Sequence, residues 1–180
     1  LRPRFGNLRD VLDEDSGQNG VLGLESPFVG NAQFDVMCKH FGDSIVTLDC
    51  SFPWGSAQKS LKEGLARIRA EAEDAVRSGA AHIVLTDRFQ DPSKVPMPII
   101  LATSAVHSWL TRKGLRTFCS LNVRSAECID PHYFAVLVGC GATTVNAYLA
   151  QDSLADRIKR GLLDCTLTEA VGRYRMAIDQ

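Results

Sequence analysis

The chain is poor in the features that announce a metal or cofactor site. No two of its cysteines, Cys38, Cys50, Cys119, Cys128, Cys140 and Cys165, stand in a C-x-x-C pair, which argues against a zinc ribbon or a local iron-sulfur loop. His40, His82, His107 and His132 form no H-x-x-H or H-E-x-x-H arrangement. A P-loop and a G-x-S-x-G elbow are missing too. No apolar run approaches the ~18 residues needed to cross a bilayer, and no basic and apolar leader opens the chain, so the expected address is cytoplasmic. Neither sign of charge dominates: 20 basic and 21 acidic residues leave a net charge of -1, no footprint for nucleic acid or an anionic membrane.

What the chain does have is a large apolar share. With 45% hydrophobic side chains in 180 residues, it is long enough to bury roughly 70% of its unfolded surface in one domain with one core. The cysteines read as reduced and partly buried. The sequence begins at Leu1 and ends at Gln180 inside a helix that Thr166 and Glu169 mark with a Thr-x-x-Glu capping pattern, as expected of a piece of a longer protein.

Residues 1–30 are rich in turn formers and predict an irregular arm with at most a short helix near 8–12; residues 31–180 predict a single α/β domain. Asn31 is the expected cap of a helix running to about Phe41, whose Phe34, Met37, Cys38 and Phe41 fall on one face. Strand and helix patterns then alternate: strand 45–49, helix 57–78, strand 82–86, helix 98–113, strand 117–123, helix 131–139, strand 143–146, and a helix from about Ser153. Four β-α units in series mean a parallel sheet, either a half-barrel or a Rossmann-like layer, with helices packed around it. In the long helix Leu61, Leu65, Ile68, Ala72 and Val76 trace one stripe. Glu63 with Arg67 and Arg69 with Glu73 read as exposed i,i+4 pairs, each contributing about 0.2 to 0.5 kcal/mol. Gly79 and Gly114 stand where left-handed C-terminal residues are wanted. Gly139-Cys-Gly141 ends a helix, whereas a dinucleotide fingerprint would follow a strand and open one.

Functional side chains in such folds lie at the carboxyl ends of the strands. That edge carries Asp49, Asp87, Arg88, Arg124, Glu127, Asn146 and Tyr148, and Trp54 sits in an aromatic loop beyond the first strand, a hint of an interdomain contact. One reading is a site for a small polar molecule, with carboxylates for acid-base work and arginines for anions. The other is that Asp87 and Arg88 fix a tight turn and that Arg124 pairs with Glu127 at the surface. His107, mid-helix near the apolar face, reads as a satisfied core histidine, and His132 as a packing or surface residue; His40 and His82 carry no signal.

Several segments together resemble the central domain of the large chain of glutamate synthase. They are Leu24-Glu-Ser-Pro27, Leu48-Asp-Cys-Ser-Phe-Pro53, Leu85-Thr-Asp-Arg88, Val95-Pro-Met-Pro-Ile99, Ala105-Val-His107, Gly114-Leu-Arg-Thr117, Asp130-Pro-His-Tyr-Phe-Ala-Val-Leu137, Gly141-Ala142 and Asn146-Ala-Tyr-Leu149, spread from Asp10 to Gln180. The resemblance implies an α/β domain joining a glutamine amidotransferase domain to an FMN-binding barrel. In such an enzyme, ammonia released from glutamine passes through a tunnel to 2-oxoglutarate, and the product is reduced at FMN to glutamate. It also implies a possible small NADPH-oxidising subunit as a partner. The family's nucleophilic cysteine, FMN-binding residues and 3Fe-4S cysteines belong to other segments, so no catalytic, cofactor-binding or metal residue is carried over to this one. The expected role is a scaffold that helps form the ammonia passage, inactive alone and prone to self-association when isolated. The alternative is a free-standing small α/β enzyme or binding protein using the rim around Asp87, Arg88 and Arg124.

Overall fold

The structure is a computed structural model describing residues 3–5, 22–55, 57–89 and 91–180. The short helix expected near 8–12 lies outside the described residues. Two short strands, β1 (Arg4–Phe5) and β2 (Leu22–Gly23), pair antiparallel at the start. Helix α1 (Asn31–Phe41) follows, and its Phe34 and Met37 are buried as the spacing requires. The four expected strands are β3 (Ile45–Asp49), β5 (His82–Thr86), β7 (Ser120–Arg124) and β8 (Thr144–Asn146), separated by α2 (Ala57–Arg77), α3 (Ile99–Arg112) and α4 (Pro131–Gly139). Helices α5 (Tyr148–Lys159) and α6 (Leu167–Asp179) close the chain. Between these elements β4 (Ser51–Pro53) and β6 (Lys94–Pro96) form a small antiparallel pair beyond the ends of β3 and β5.

All pairings in the main sheet are parallel, and its order, β3-β5-β7-β8, is the order of the chain. This decides between the two predicted architectures. A Rossmann-like layer reverses strand order at its centre and so places helices on both faces; a right-handed crossover repeated in one direction places every crossover helix on the same face, as in a barrel. The winding is therefore that of a half-barrel. Leu48, Ile83, Leu85, Leu121, Val123 and Val145 join Ile68, Ala72, Ile99, Val106 and Leu137 from α2, α3 and α4 in one large core. The intervening strand positions face the other way, where Val84 packs with Phe34 and Met37 of α1 in a second, smaller cluster.

Register stacks the other face into layers: His82 beside Ser120, then Val84, Asn122 and Thr144, then Thr86, Arg124 and Asn146. Within the first two layers the buried polar members satisfy one another. His82 Nδ1 lies 2.9 Å from Ser120 Oγ, Asn122 Nδ2 donates to Ser120 Oγ at 2.9 Å, and Thr144 Oγ1 donates to Asn122 Oδ1 at 2.8 Å. Burial holds the His82 ring neutral, with its pKa pushed down to about 4.

Three local expectations change. Strand β7 starts at Ser120 because residues 116–118 form a 3-10 turn, pinned by Arg116 donating to the carbonyls of Cys119 and Gly141 at 2.7 Å each. Helix α5 starts at Tyr148, and Ser153 sits inside it with its hydroxyl donating back to Leu149 O at 2.7 Å. On α2, Glu73 faces α3 and takes Arg77, Lys113 and the Trp109 indole, at 2.9, 3.5 and 2.8 Å, in place of the expected Arg69. Of the two predicted N-caps, Thr166 with Glu169 makes a full capping box, whereas at α1 the cap position is Gly30 and Asn31 is already the first helical residue; Asp130, not anticipated, caps α4 by accepting from Tyr133 N at 2.9 Å.

Candidate functional site

The carboxyl ends of the strands separate the predicted rim into three neighbourhoods. At the end of β5, Asp87 reaches across to the loop after β7, where its carboxylate accepts from Ser125 Oγ at 2.5 Å and from Ala126 N at 3.0 Å. Tyr148, the first residue of α5, completes this group. Burial and the charge of Asp87 raise its hydroxyl to about 12, and the Arg88 guanidinium stacks 5.4 Å from its ring centroid. Asp87 thus ties neighbouring strand ends together through charge-assisted hydrogen bonds.

Glu127 caps α3, accepting from Ile99 N at 3.1 Å, and also takes the Tyr133 hydroxyl. A carboxylate at a helix N-terminus satisfies an orphan donor and complements the dipole. Burial and the bond to Glu127 raise the Tyr133 hydroxyl well above its ordinary pKa. The expected Arg124–Glu127 surface pair does not form. Arg124 is side by side with Thr86 and Asn146 in the register, on the α1 face, so it pairs with Asp35 of α1 at 3.0 Å and lies over Phe34 at 5.0 Å. Its Nε is buried without a hydrogen-bond partner. Asn146 is fully buried and anchors the start of α1, donating to Val29 O and Asn31 Oδ1 at 2.9 Å each.

At the third neighbourhood, Asp49 pairs with Lys94 of β6 at 3.2 Å, and Arg67 of α2 donates to the carbonyls of Asp49 and Ser51 at 2.7 and 2.9 Å. Trp54 at the tip of β4 is 74% exposed, its backbone held by Ser93 O at 2.8 Å.

Arg88 and Arg124 share a cavity of about 370 Å³ between α1 and the sheet, floored by Val84. The rest of its wall was not singled out from the sequence: Thr47, Thr86 and Phe89, with Phe34 and Cys38 assigned only to a packing face. The period-2 alternation of β5 carried the missing signal, because it places residues 82, 84 and 86 on the face that α1 covers. The other expectations are met locally. His107 accepts from Arg116 Nε at 3.1 Å, His132 is exposed, and Gly141 turns the chain out of α4 with φ 105°. Among the described residues no three His, Cys, Asp or Glu side chains converge as metal ligands, and no helix is long and apolar enough to cross a membrane. Burial raises the thiols of Cys50 and Cys128 to about 12, which makes them inert packing groups.

A family model described as glutamate synthase central domain matches residues 1–180. The chain is 51% identical, over 99% of its length, to the glutamate synthase [NADPH] large chain of Azospirillum brasilense, of which it covers 12%. Identity is 38% over 98% of the chain to the corresponding large chain of Bacillus subtilis, with 11% of that protein covered. It is 40% over 82% of the chain to the chloroplastic ferredoxin-dependent glutamate synthase of Spinacia oleracea, with 9% covered. The chain spans about a tenth of the length of these relatives. By the full-length match it belongs to the glutamate synthase central domain family.

Proposed function

We propose that this segment is the connecting scaffold of a cytoplasmic glutamate synthase: residues 31–180 form one domain behind an irregular arm at 1–30, set between a glutamine amidotransferase domain and an FMN-binding domain. The parent protein makes glutamate from glutamine and 2-oxoglutarate, and this segment helps wall the ammonia passage between the two centres. FMN and the 3Fe-4S cluster reside in other parts of the parent, which also engages a small NADPH-oxidising subunit. The segment performs no reaction alone, and once isolated it self-associates through surfaces that neighbours would cover.

The observation that supports this reading is the use made of the strand-end carboxylates. Asp87 is committed to Ser125 and Ala126, Glu127 to Ile99 N and Tyr133, and Asp49 to Lys94. A general acid or base must keep a face free for substrate, whereas Asp87 and Glu127 hold loops and a helix end in place; Asp49 uses only Oδ2 on Lys94. Exposed Trp54 suits an interdomain anchor, since large aromatics supply much of the energy of such contacts.

The test is the ratio of glutamine consumed to glutamate formed by the full-length protein. Trp54→Ala is expected to loosen the contact and raise that ratio above the parent's value while glutaminase activity persists. Glutamate formation by the 180-residue segment alone would overturn the reading.

A further inference from the structure

The cavity between α1 and the sheet is used by none of the contacts assigned above, and its chemistry is selective. Two guanidiniums border it, Arg88 and Arg124. Arg124 is paired on one side with Asp35, but its Nε is buried and unsatisfied. Among the described residues Arg88 has no acidic ion-pair partner and lies over the ring of Tyr148. Counting Arg88 and Arg124 against Asp35 leaves one positive charge at the mouth. The remainder is largely apolar, with Phe34 and Phe89 as walls and Val84 as floor, and two hydroxyls, Thr47 and Thr86, the latter accepting from Arg88 N at 3.2 Å.

We infer that this cavity binds a small organic monocarboxylate, its carboxylate held by Arg124 and Arg88 and its carbon skeleton laid on Phe34, Val84 and Phe89. One net positive charge matches one anionic charge, and planar guanidiniums match a carboxylate fork. A phosphate would bring more charge and more acceptor oxygens than these donors satisfy, and would leave the aromatic walls without a partner. The volume is at the small end of the range for ligand pockets.

Cys38 of α1 lines the same cavity and is half-buried, which supplies a local reporter. The full-length protein is treated with N-ethylmaleimide, and modification of Cys38 is followed by peptide mass spectrometry in the presence of benzoate, benzamide or inorganic phosphate. Benzoate is expected to slow alkylation at concentrations at least about tenfold below those at which benzamide or phosphate does, as expected for a charge-assisted bond. Arg88→Met, at an exposed position, is expected to weaken protection by benzoate about tenfold; Arg124→Met is expected to weaken it further, with its melting temperature checked because Arg124 also holds Asp35. Equal protection by benzamide, or an unchanged benzoate effect in Arg88→Met, would overturn the site. Equal protection by phosphate would overturn the carboxylate class. No effect of any probe, as when an acidic side chain from a neighbouring segment already fills the cavity, would overturn the small-ligand assignment.

Discussion

The strands of the main sheet present Leu48, Ile83, Leu85, Leu121, Val123 and Val145 toward α2, α3 and α4, and His82, Ser120, Asn122, Thr144 and Asn146 toward the opposite side. Both faces are buried, but by different physics. The first is held by removal of apolar surface from water and by close packing, which tolerate hydrophobic exchange of similar volume. The second depends on each donor finding its acceptor, so a missing partner costs more than the net worth of the bond. It is also where α1 stands off the sheet and leaves the arginine-bordered cavity. The face packed on α2, α3 and α4 buries the larger apolar cluster, and the polar face, covered by α1, is ordered by its hydrogen bonds.

That contrast is open to attack. Leu121→Ala, at a fully buried position on the helix face, is expected to cost about 3 kcal/mol in urea denaturation, and Val84→Ala on the opposite face about 1 to 2 kcal/mol, because Val84 already borders open space. A larger loss at Val84 would reverse the comparison. Gly141→Ala is expected to cost about 2 to 4 kcal/mol: φ is 105° there, and an added Cβ would lie 2.1 Å from His107 Nδ1. Gly79, with φ 97° and nothing near its would-be Cβ, should lose only about 1 kcal/mol on the same change.

The polar face makes stability depend on pH. His82 is neutral and buried, with its pKa depressed to about 4 from 6.5, so the unfolded chain binds the proton more readily. Stability from this group is full above about pH 6.5 and falls as the pH drops to about 4, by up to about 3 kcal/mol. His82→Gln should flatten that part of the pH profile, and an unchanged slope would show that the ring is not held neutral. The smallest effect is expected at the rim of the cavity. Asp35 is 56% exposed, so Asp35→Ala should change stability by less than about 1 kcal/mol, measured by thermal melting.

How far the sequence could be read depended on how local the cause was. Strands Ile45–Asp49 and His82–Thr86 were placed to the residue because a short apolar run between turn formers has few alternatives. The capping box at Thr166 was legible for the same reason. The start of α5 was not. Ala147 precedes it and offers no side-chain cap, while Ser153 looks like a cap but bonds within the helix. Strands β4 and β6 carry no local signal, because each is three residues long, contains proline and exists only through the other. The half-barrel winding required strand order, which no single β-α unit encodes. At the rim, the residue types were visible but their partners were not: Arg124 turns to Asp35, 89 positions away in sequence (124 − 35), and Glu127 to the first turn of α3. Buried His82 gave no sign of itself, since its partner Ser120 arrives from the next strand.

Asp87→Asn and Glu127→Gln in the full-length protein test most directly whether the strand-end carboxylates act as braces. Each is expected to lower the melting temperature by weakening the bonds to Ser125, Ala126 and Ile99, while kcat of the folded enzyme stays within about twofold of the parent's. A fall in kcat of about a hundredfold or more at an unchanged melting temperature, the size expected for loss of a general acid or base, would contradict it.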